Sequence, residues 1–247
     1  MASSPLISLI IPTLNNAPTI KSTIQSLIEQ SYKNIEIIII DGRSDDGTID
    51  IINNFLPNGQ PDKTQIKICL NEKDGGIYDA MNKGIEQSNG EWLLFIGGDD
   101  RLYDEDILSE IFSNDLSGNN LVYGNVVYDN KILHKASFGK MLFLKNTIHQ
   151  QGAFFNKKCF DDFRFNTNYK ILADYELNLL LYKKRTPVKK VDYVISKCGS
   201  NGVSKNVSIA LYREELNIKK SIFKWYAMPV LLIWAGLKYS VKKFIPL

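Results

Sequence analysis

Residues 72–100 read EKDGGIYDAMNKGIEQSNGEWLLFIGGDD, and their pattern runs loop, helix, strand, acidic loop. Lys73, Asp74 and two glycines open the stretch. Ile77, Ala80, Met81 and Ile85 then recur near helical spacing, so 77–88 is expected to be a helix, stopped by Asn89-Gly90. Residues 92–96 form a continuous apolar run of strand length that empties into Gly97-Gly98-Asp99-Asp100. Two glycines and two carboxylates at the carboxyl end of a buried strand mark a candidate site, because open α/β sheets bind ligands in the crevice outside those ends.

Working back from this stretch, the same alternation repeats. Residues 6–11 (LISLII) are an apolar, β-branched run closed by Pro12, as expected of a strand buried on both faces. After the loop 13–16, Ile20, Ile24, Leu27 and Ile28 place an amphipathic helix over 18–30. A second strand over 35–40 (IEIIII) ends in DGRSDDGT, where Asp45 and Asp46 are expected to cap a short helix over 49–56. Pro57 to Pro61 break that helix, and 65–70 is the third strand. Strand and helix alternate through residue 96 with connections far too long for hairpins, which predicts a parallel sheet with right-handed crossovers.

Forward of Asp100 the order loosens. A helix is expected over 107–112, a strand over 121–127 with Gly124 inside it, its partner over 132–138, a helix over 171–182 and a last strand over 188–195. Asp174 and Glu176 fall near the start of the 171–182 helix, where the macrodipole favours a carboxylate.

The composition is that of a globular domain with room for a sizeable core, 247 residues with a net charge of +3. The charge is uneven: residues 205–247 carry eight Lys or Arg against two Glu, leaving 22 basic against 25 acidic in the first 204. Cys69, Cys159 and Cys198 follow no metal spacing, and MASSPLISLIIP has no basic, long-apolar leader pattern, so a cytoplasmic protein with reduced thiols is expected. No basic stripe suggests nucleic acid. The uncharged run 225–237 is thirteen residues, too short to span about 30 Å of hydrocarbon as a helix. With its flanking lysines it suits either an anionic membrane surface, through 222–247, or packing on the domain or in a homodimer.

Every acidic or glycine-bearing loop up to Asp100 follows a strand, so Asn15, Asp41, Asp74 and Asp99 should gather along one edge of the sheet. Asp41 suits a base or ribose donor, and Asp99 and Asp100 offer hard oxygen ligands of the kind Mg²⁺ or Mn²⁺ takes alongside substrate phosphates. Neither GxGxxG nor GxxxxGK[ST] occurs. Gly42 to Gly47 has the second motif's glycine spacing, but Thr48 replaces its lysine.

Residues 8–15 (SLIIPTLN), 37–48 (IIIIDGRSDDGT), 72–84 (EKDGGIYDAMNKG), 90–100 and 173–177 (ADYEL) together resemble the inverting enzymes of glycosyltransferase family 2. The resemblance covers about residues 6–185, with the motifs in order. It implies a GT-A fold, which is an α/β, Rossmann-like, mostly parallel sheet flanked by helices. On that pattern residues 1–100 form the nucleotide-sugar half, 101–204 the acceptor half, and 205–247 a basic, apolar helical extension. It also implies a nucleotide-diphosphate sugar donor, usually a UDP-sugar, a saccharide or lipid-linked acceptor, and a divalent metal. Pro12, Thr13 and Asn15 would line the nucleotide pocket and Asp41 would contact the base. Asp74, Asp79, Asn82 and Lys83 would border the donor. Asp99 matches the second carboxylate of the family's DxD motif and would hold the metal, with Asp100 beside it. Asp174 matches the general base. His149, in HQQGAFF, would face the diphosphate, the metal or the acceptor.

One departure stands out: Gly97 occupies the place of the first DxD aspartate, which leaves open a non-catalytic nucleotide-sugar-binding subunit. A nucleotidyltransferase can also place a nucleotide and Mg²⁺ at the rim of a parallel sheet, but no Gly-rich, Arg/Lys-bearing loop follows the first strand here.

Overall fold

A computed structural model describes residues 4–55, 65–69, 75–199 and 209–223. In the parallel half of its sheet, strand β1 (Ile7–Thr13) has β2 (Ile35–Asp41) and β4 (Trp92–Phe95) parallel on either side and β3 (Gln65–Cys69) parallel beyond β2. The crossovers are α1 (Ile20–Ile28), α2 (Thr48–Asn53) and α3 (Ile77–Gln87). The parallel half follows the sequence pattern strand for strand.

Past β4 the same sheet becomes mixed. Strand β8 (Ala153–Asn156) runs antiparallel to both β4 and β6 (Leu121–Tyr128), and β9 (Val188–Cys198) is parallel to β6. Two-residue strands β5 (Arg101–Leu102) and β7 (Leu133–His134) add antiparallel pairs to β9 and β6. Helices α4 (Ile107–Phe112), α5 (Ala173–Lys183) and α6 (Ile209–Ile222), with 3₁₀ turns at Lys140–Phe143, Gln150–Gly152 and Lys157–Phe160, complete the described elements.

The strands are isoleucine-rich on both faces because two cores cover them. Ile7, Leu9, Ile11, Ile35, Ile37 and Ile39 pack with Ile20, Ile24 and Leu27 of α1 on one side. Ile10, Ile38 and Ile40 pack with Met81 and Ile85 of α3 and Leu177 of α5 on the other. A third cluster joins Ile218 and Ile222 of α6 to Tyr175 and Leu179 of α5 and to Leu142. Ile218 and Ile222 therefore pack on the domain, whereas the apolar run 225–237 lies outside the described residues. Among the described residues no helix is long and apolar enough to cross a membrane.

Several boundaries differ from expectation for identifiable reasons. Strand β1 does not close at Ile11 but runs through Pro12 to Thr13, pairing with Ile40 and Asp41. Successive residues of a strand point their backbone groups to alternate sides. Ile10 accepts from Ile96 on the β4 side, so the missing N–H of Pro12 faces the same side, where β4 has already ended. The N-cap position of α2 is taken by Gly47 at φ +94°, not by Asp45 or Asp46. From one residue further out, Asp46 accepts from the amide of Thr48, the first residue of the helix, at 3.0 Å and from the Ala17 amide at 2.9 Å, tying two loops together. The partner strand expected over 132–138 shrinks to β7, because the Ala136 and Phe138 amides turn to the side chains of Asn125 and Tyr123.

One buried charge was not anticipated. Glu36 in β2 is fully buried and accepts from Ser8 Oγ at 2.6 Å, Asn89 Nδ2 at 3.1 Å and the Gly90 amide at 3.1 Å, locking the α3–β4 connection to the sheet. Removing the acceptor leaves buried donors unsatisfied, at roughly 1–3 kcal/mol for each group. Glu36→Ala should therefore lose about 3 kcal/mol or more in urea unfolding. A change below 0.5 kcal/mol would show that the carboxylate is not what fastens this corner.

Candidate active site

The ends of β1, β2 and β4 meet through their loops. Asn15, held at φ +53°, donates its amide to Ser44 Oγ at 2.8 Å and accepts from the Asp45 amide at 3.0 Å, joining the loops after β1 and β2. Asn16 accepts from Thr13 Oγ1 at 2.8 Å. The turn after β4 presses on both: a Cβ on Gly98 would lie 2.6 Å from Asn16 Oδ1 and 2.8 Å from Thr13 Oγ1. The Gly98 carbonyl accepts from Thr19 Oγ1 at 2.8 Å and Thr23 Oγ1 at 3.1 Å, so α1 also grips this turn. Thr13, Asn15, Asp41, Asp99 and Asp100 thus belong to one continuous rim. Pro12 sits just inside it, within the strand.

Within the rim the carboxylates have different duties. Asp41 is fully buried and accepts from the Arg43 and Ser44 amides at 2.9 Å each and from Ser44 Oγ, shaping its own loop. Asp100 is buried and accepts from Gln151 Nε2 at 2.9 Å, the Gly199 amide at 3.0 Å and the Gly97 amide at 2.9 Å. Burial first, and then the neighbouring Asp99, push its carboxyl up to about 6. Asp99 is half-buried, with an Oδ2 packed on Gly199. It is the carboxylate of this turn left for a ligand, while Asp100 fixes the turn.

A second carboxylate sits across the start of α3. Asp174, in the first turn of α5, accepts from Tyr78 Oη at 3.1 Å and from Asn146 Nδ2 at 2.8 Å. Asn178 Nδ2 donates to Asn146 Oδ1 at 3.0 Å, which orients the Asn146 amide group toward Asp174. Burial pushes Asp174 up to about 6, and the two donated hydrogen bonds pull the other way. Burial, then the Asp174 charge, push the Tyr78 hydroxyl well above its ordinary range. A small pocket opens here, lined by Gly75, Tyr78, Asp79, Thr167, Tyr169 and Lys170.

The α3 residues divide. Asp79 accepts from the Gly75 amide at 3.0 Å and pairs with Lys83 at 3.5 Å at the edge of that pocket. Asn82 is turned elsewhere, donating to the Phe165 carbonyl at 2.8 Å and accepting from the Phe165 amide at 2.9 Å. Both ends of its amide group are occupied by that backbone, so its visible role is to brace the 165 segment. Asp74 lies outside the described residues. His149 is 3.1 Å from Tyr128 Oη and packs edge-on against His134, two residues from the Gln151 that holds Asp100.

Tyr78, Asn146 and Gln151 were not singled out from the sequence. Tyr78 lies inside the quoted EKDGGIYDAMNKG stretch, so position alone was a signal for it. Gln151 likewise lies inside HQQGAFF, two residues from His149, whereas Asn146 is an isolated residue that carries no signal.

The arrangement resembles known structures. Over 95% of this chain and 73% of the other, it superposes on Staphylococcus aureus TarS 1–349 in complex with UDP-GlcNAc, with a TM-score of 0.73 at 17% identity. The chain covers 39% of the longer TarS chain. It also superposes on the mannosyltransferase PcManGT from Pyrobaculum calidifontis, in complex with GDP-Man and Mn²⁺, with a TM-score of 0.63 at 15% identity, covering 100% of this chain and 77% of that one. The fold is that of a GT-A glycosyltransferase. The family model described as Glycosyl transferase family 2 matches residues 8–174. A PGL/p-HBAD biosynthesis glycosyltransferase of Mycobacterium tuberculosis is 33% identical over 202 residues, 78% of this chain and 76% of that protein. The chain belongs to glycosyltransferase family 2 and is a transferase of the glycosyl-transferring class.

Proposed function

We propose that the protein transfers a sugar, with inversion, from a nucleotide-diphosphate sugar to a hydroxyl of a saccharide or lipid-linked acceptor, with Asp174 as the general base. The observation that carries this is the Asp174 carboxylate itself. It stands beside the 75–79 motif, is gripped by Tyr78 and Asn146, and is raised by burial toward the pH at which a base works best. An acceptor hydroxyl must lose its proton as it attacks from the face opposite the leaving diphosphate. A carboxylate already held in place performs that removal without reorganising.

The rim formed by Thr13, Asn15, Asp41 and the 97–100 turn is the proposed seat of the nucleotide diphosphate. Asp99 fits a divalent cation of the Mg²⁺ or Mn²⁺ type, since such ions often take one or two protein carboxylates and fill the shell with substrate phosphates and water. When bound, that ion would neutralise charge on the leaving diphosphate. The structural neighbours, one in complex with UDP-GlcNAc and one with GDP-Man, support a nucleotide-sugar donor. The acceptor class draws support from a Campylobacter jejuni relative, 34% identical over 99 residues covering 40% of this chain and 31% of that protein. It is named for glucosylating GalNAc(5)-diNAcBac-PP-undecaprenol. A cell-surface glycan or glycolipid is thus the proposed product, made at the cytoplasmic side of a membrane that residues 222–247 would contact.

Incubation with UDP-, GDP- and dTDP-sugars, Mn²⁺ and a lipid-linked saccharide should release nucleoside diphosphate with one donor class. The new linkage should show the inverted anomeric configuration by NMR. Pyrophosphate release from a nucleoside triphosphate, with no turnover of any sugar donor, would overturn the assignment in favour of nucleotidyl transfer.

A further inference from the structure

The helix α5 that carries Asp174 begins without a cap of its own. Its N-cap is Leu172, whose side chain has no acceptor to offer, so the amides at this end need another partner. The N-cap amide of Leu172, with the two amides that lead into it, finds that partner at the far end of the chain. Glu214, in the middle of α6, accepts from the Lys170 amide at 2.7 Å with one oxygen, and from the Ile171 and Leu172 amides at 2.9 and 3.1 Å with the other. Three consecutive amides converging on one carboxylate form an anion-binding concavity, here filled from within the molecule at the positive end of a helix.

The helix that brings Glu214 is itself firmly seated. Lys219 and Glu215 form a buried pair at 2.6 Å, and Lys219 Nζ donates to the Leu144 carbonyl at 3.2 Å. Lys183 of α5 donates to the Ile222 carbonyl at 2.7 Å, and Ile218 and Ile222 pack against Tyr175 and Leu179. Leu144 is two residues from Asn146, which donates to Asp174. Helix α6 therefore holds the base from two directions, through the start of its helix and through the segment bearing its hydrogen-bond donor.

We infer that Glu214 is a positioning residue for the sugar-transfer reaction, fixing where the α5 N-terminus, and with it the Asp174 carboxylate, stands relative to the acceptor. This rests on the assignment of Asp174 as the base. It makes α6 a working part of the active site. The polar and charged groups facing Asp174 come from three elements: Tyr78 of α3, Asn146 of the 144–149 segment, and Glu214 of α6 acting through the backbone and through its charge near Tyr78.

Two substitutions separate geometry from charge. Glu214→Asp keeps the charge but shortens the side chain by about 1.5 Å, so it cannot span all three amides. Glu214→Gln loses the charge and, with its NH2 toward the Lys170 amide, that one bond, but its oxygen keeps the Ile171 and Leu172 amides that adjoin the helix. Positioning predicts that Glu214→Asp lowers kcat on the order of 10- to 100-fold with donor KM unchanged, while Glu214→Gln stays within about threefold of wild type. Equal kcat in Glu214→Asp and wild type would overturn the inference, whatever the change in melting temperature. The reverse order, with Gln impaired and Asp intact, would also overturn it and make the residue an electrostatic one.

A second readout does not depend on activity. Carboxyl ¹³C NMR should give a lower titration midpoint for Asp174 in Glu214→Asp than in wild type, because a loosened helix start admits water. An unchanged midpoint would refute the positioning role even if no sugar donor were ever turned over. A shifted midpoint in a protein inactive with every donor would keep the positioning and remove the base assignment.

Discussion

Asp174→Asn is expected to lower turnover by about 10² to 10⁴ while donor KM stays near wild type. The asparagine is nearly isosteric. Its carbonyl can still accept from Asn146 Nδ2, and its amide can donate to Tyr78 once that hydroxyl turns, so the local hydrogen bonds survive and the proton acceptor does not. Wild-type kcat/KM should rise with pH through about 6 and level off above it, because the proposed base, Asp174, would work only when deprotonated and burial holds its carboxyl up to about 6. Asp100 is raised to the same region, by burial and by Asp99, so the limb must be assigned. Tyr78→Phe does this: Tyr78 donates to Asp174 and lowers its pKa. Losing that bond should move the acid limb upward, whereas a limb owned by Asp100 would stay in place.

The same shift fixes a stability signature. A carboxyl whose folded pKa lies above its ordinary value of 3.8 binds its proton more tightly in the native state, so stability falls as pH rises from about 4 to about 6 and the cost persists above. Asp174→Asn escapes that cost. It should melt higher than wild type at pH 7 to 8 and approach wild type near pH 4, an inactive protein that is the more stable one. Wild-type turnover in Asp174→Asn would remove the base assignment. A lower melting temperature at pH 8 would show instead that the carboxylate is a structural anchor.

The parallel half of the fold was legible because burial on both faces forces runs such as LISLII and IEIIII, and the spacing of Ile20, Ile24 and Leu27 admits one face only. Pro12 misled because a proline reads as a strand end until it is known which neighbour its missing amide would have met. Asp46 reaches the first amide of α2 from one residue outside the cap position, which Gly47 takes in a left-handed conformation. In the site, Asp41, Asp99 and Asp174 could be placed from sequence because each sits at a strand exit or helix start, where chain order predicts location. Their partners could not. Tyr78 meets Asp174 across 96 positions and Gln151 meets Asp100 across 51, contacts that exist only once the sheet has closed. Asn82 shows the converse: motif membership gave it a donor role, yet its amide group is engaged by the Phe165 backbone.

With Asp99 as the proposed cation ligand, Asp99→Ala should reduce transfer on the order of 10³-fold, because a cation at the leaving diphosphate would contribute several kcal/mol of charge stabilisation. The case for so large an effect from one carboxylate lies in the turn itself. Where the family pattern commonly has a first aspartate, this chain has Gly97, and a Cβ there would meet Asp100 Oδ2 at 2.8 Å and Asp99 Oδ1 at 3.2 Å. Asp100 cannot swing aside to relieve that contact, since Gln151, Gly199 and Gly97 all hold it. The glycine is therefore coupled to the inward Asp100: a side chain at 97 and a buried carboxylate at 100 compete for one space. With Asp100 turned inward and Gly97 bare, Asp99 is the carboxylate this turn can offer the proposed cation, and the donor's own phosphates would supply most of the remaining shell. Calorimetry should accordingly find Mn²⁺ weak without UDP and much tighter with it, a coupling that Asp99→Ala abolishes. Equal Mn²⁺ affinity in the presence and absence of UDP, or undiminished Mn²⁺-dependent transfer in Asp99→Ala, would place the cation elsewhere or remove it from the reaction.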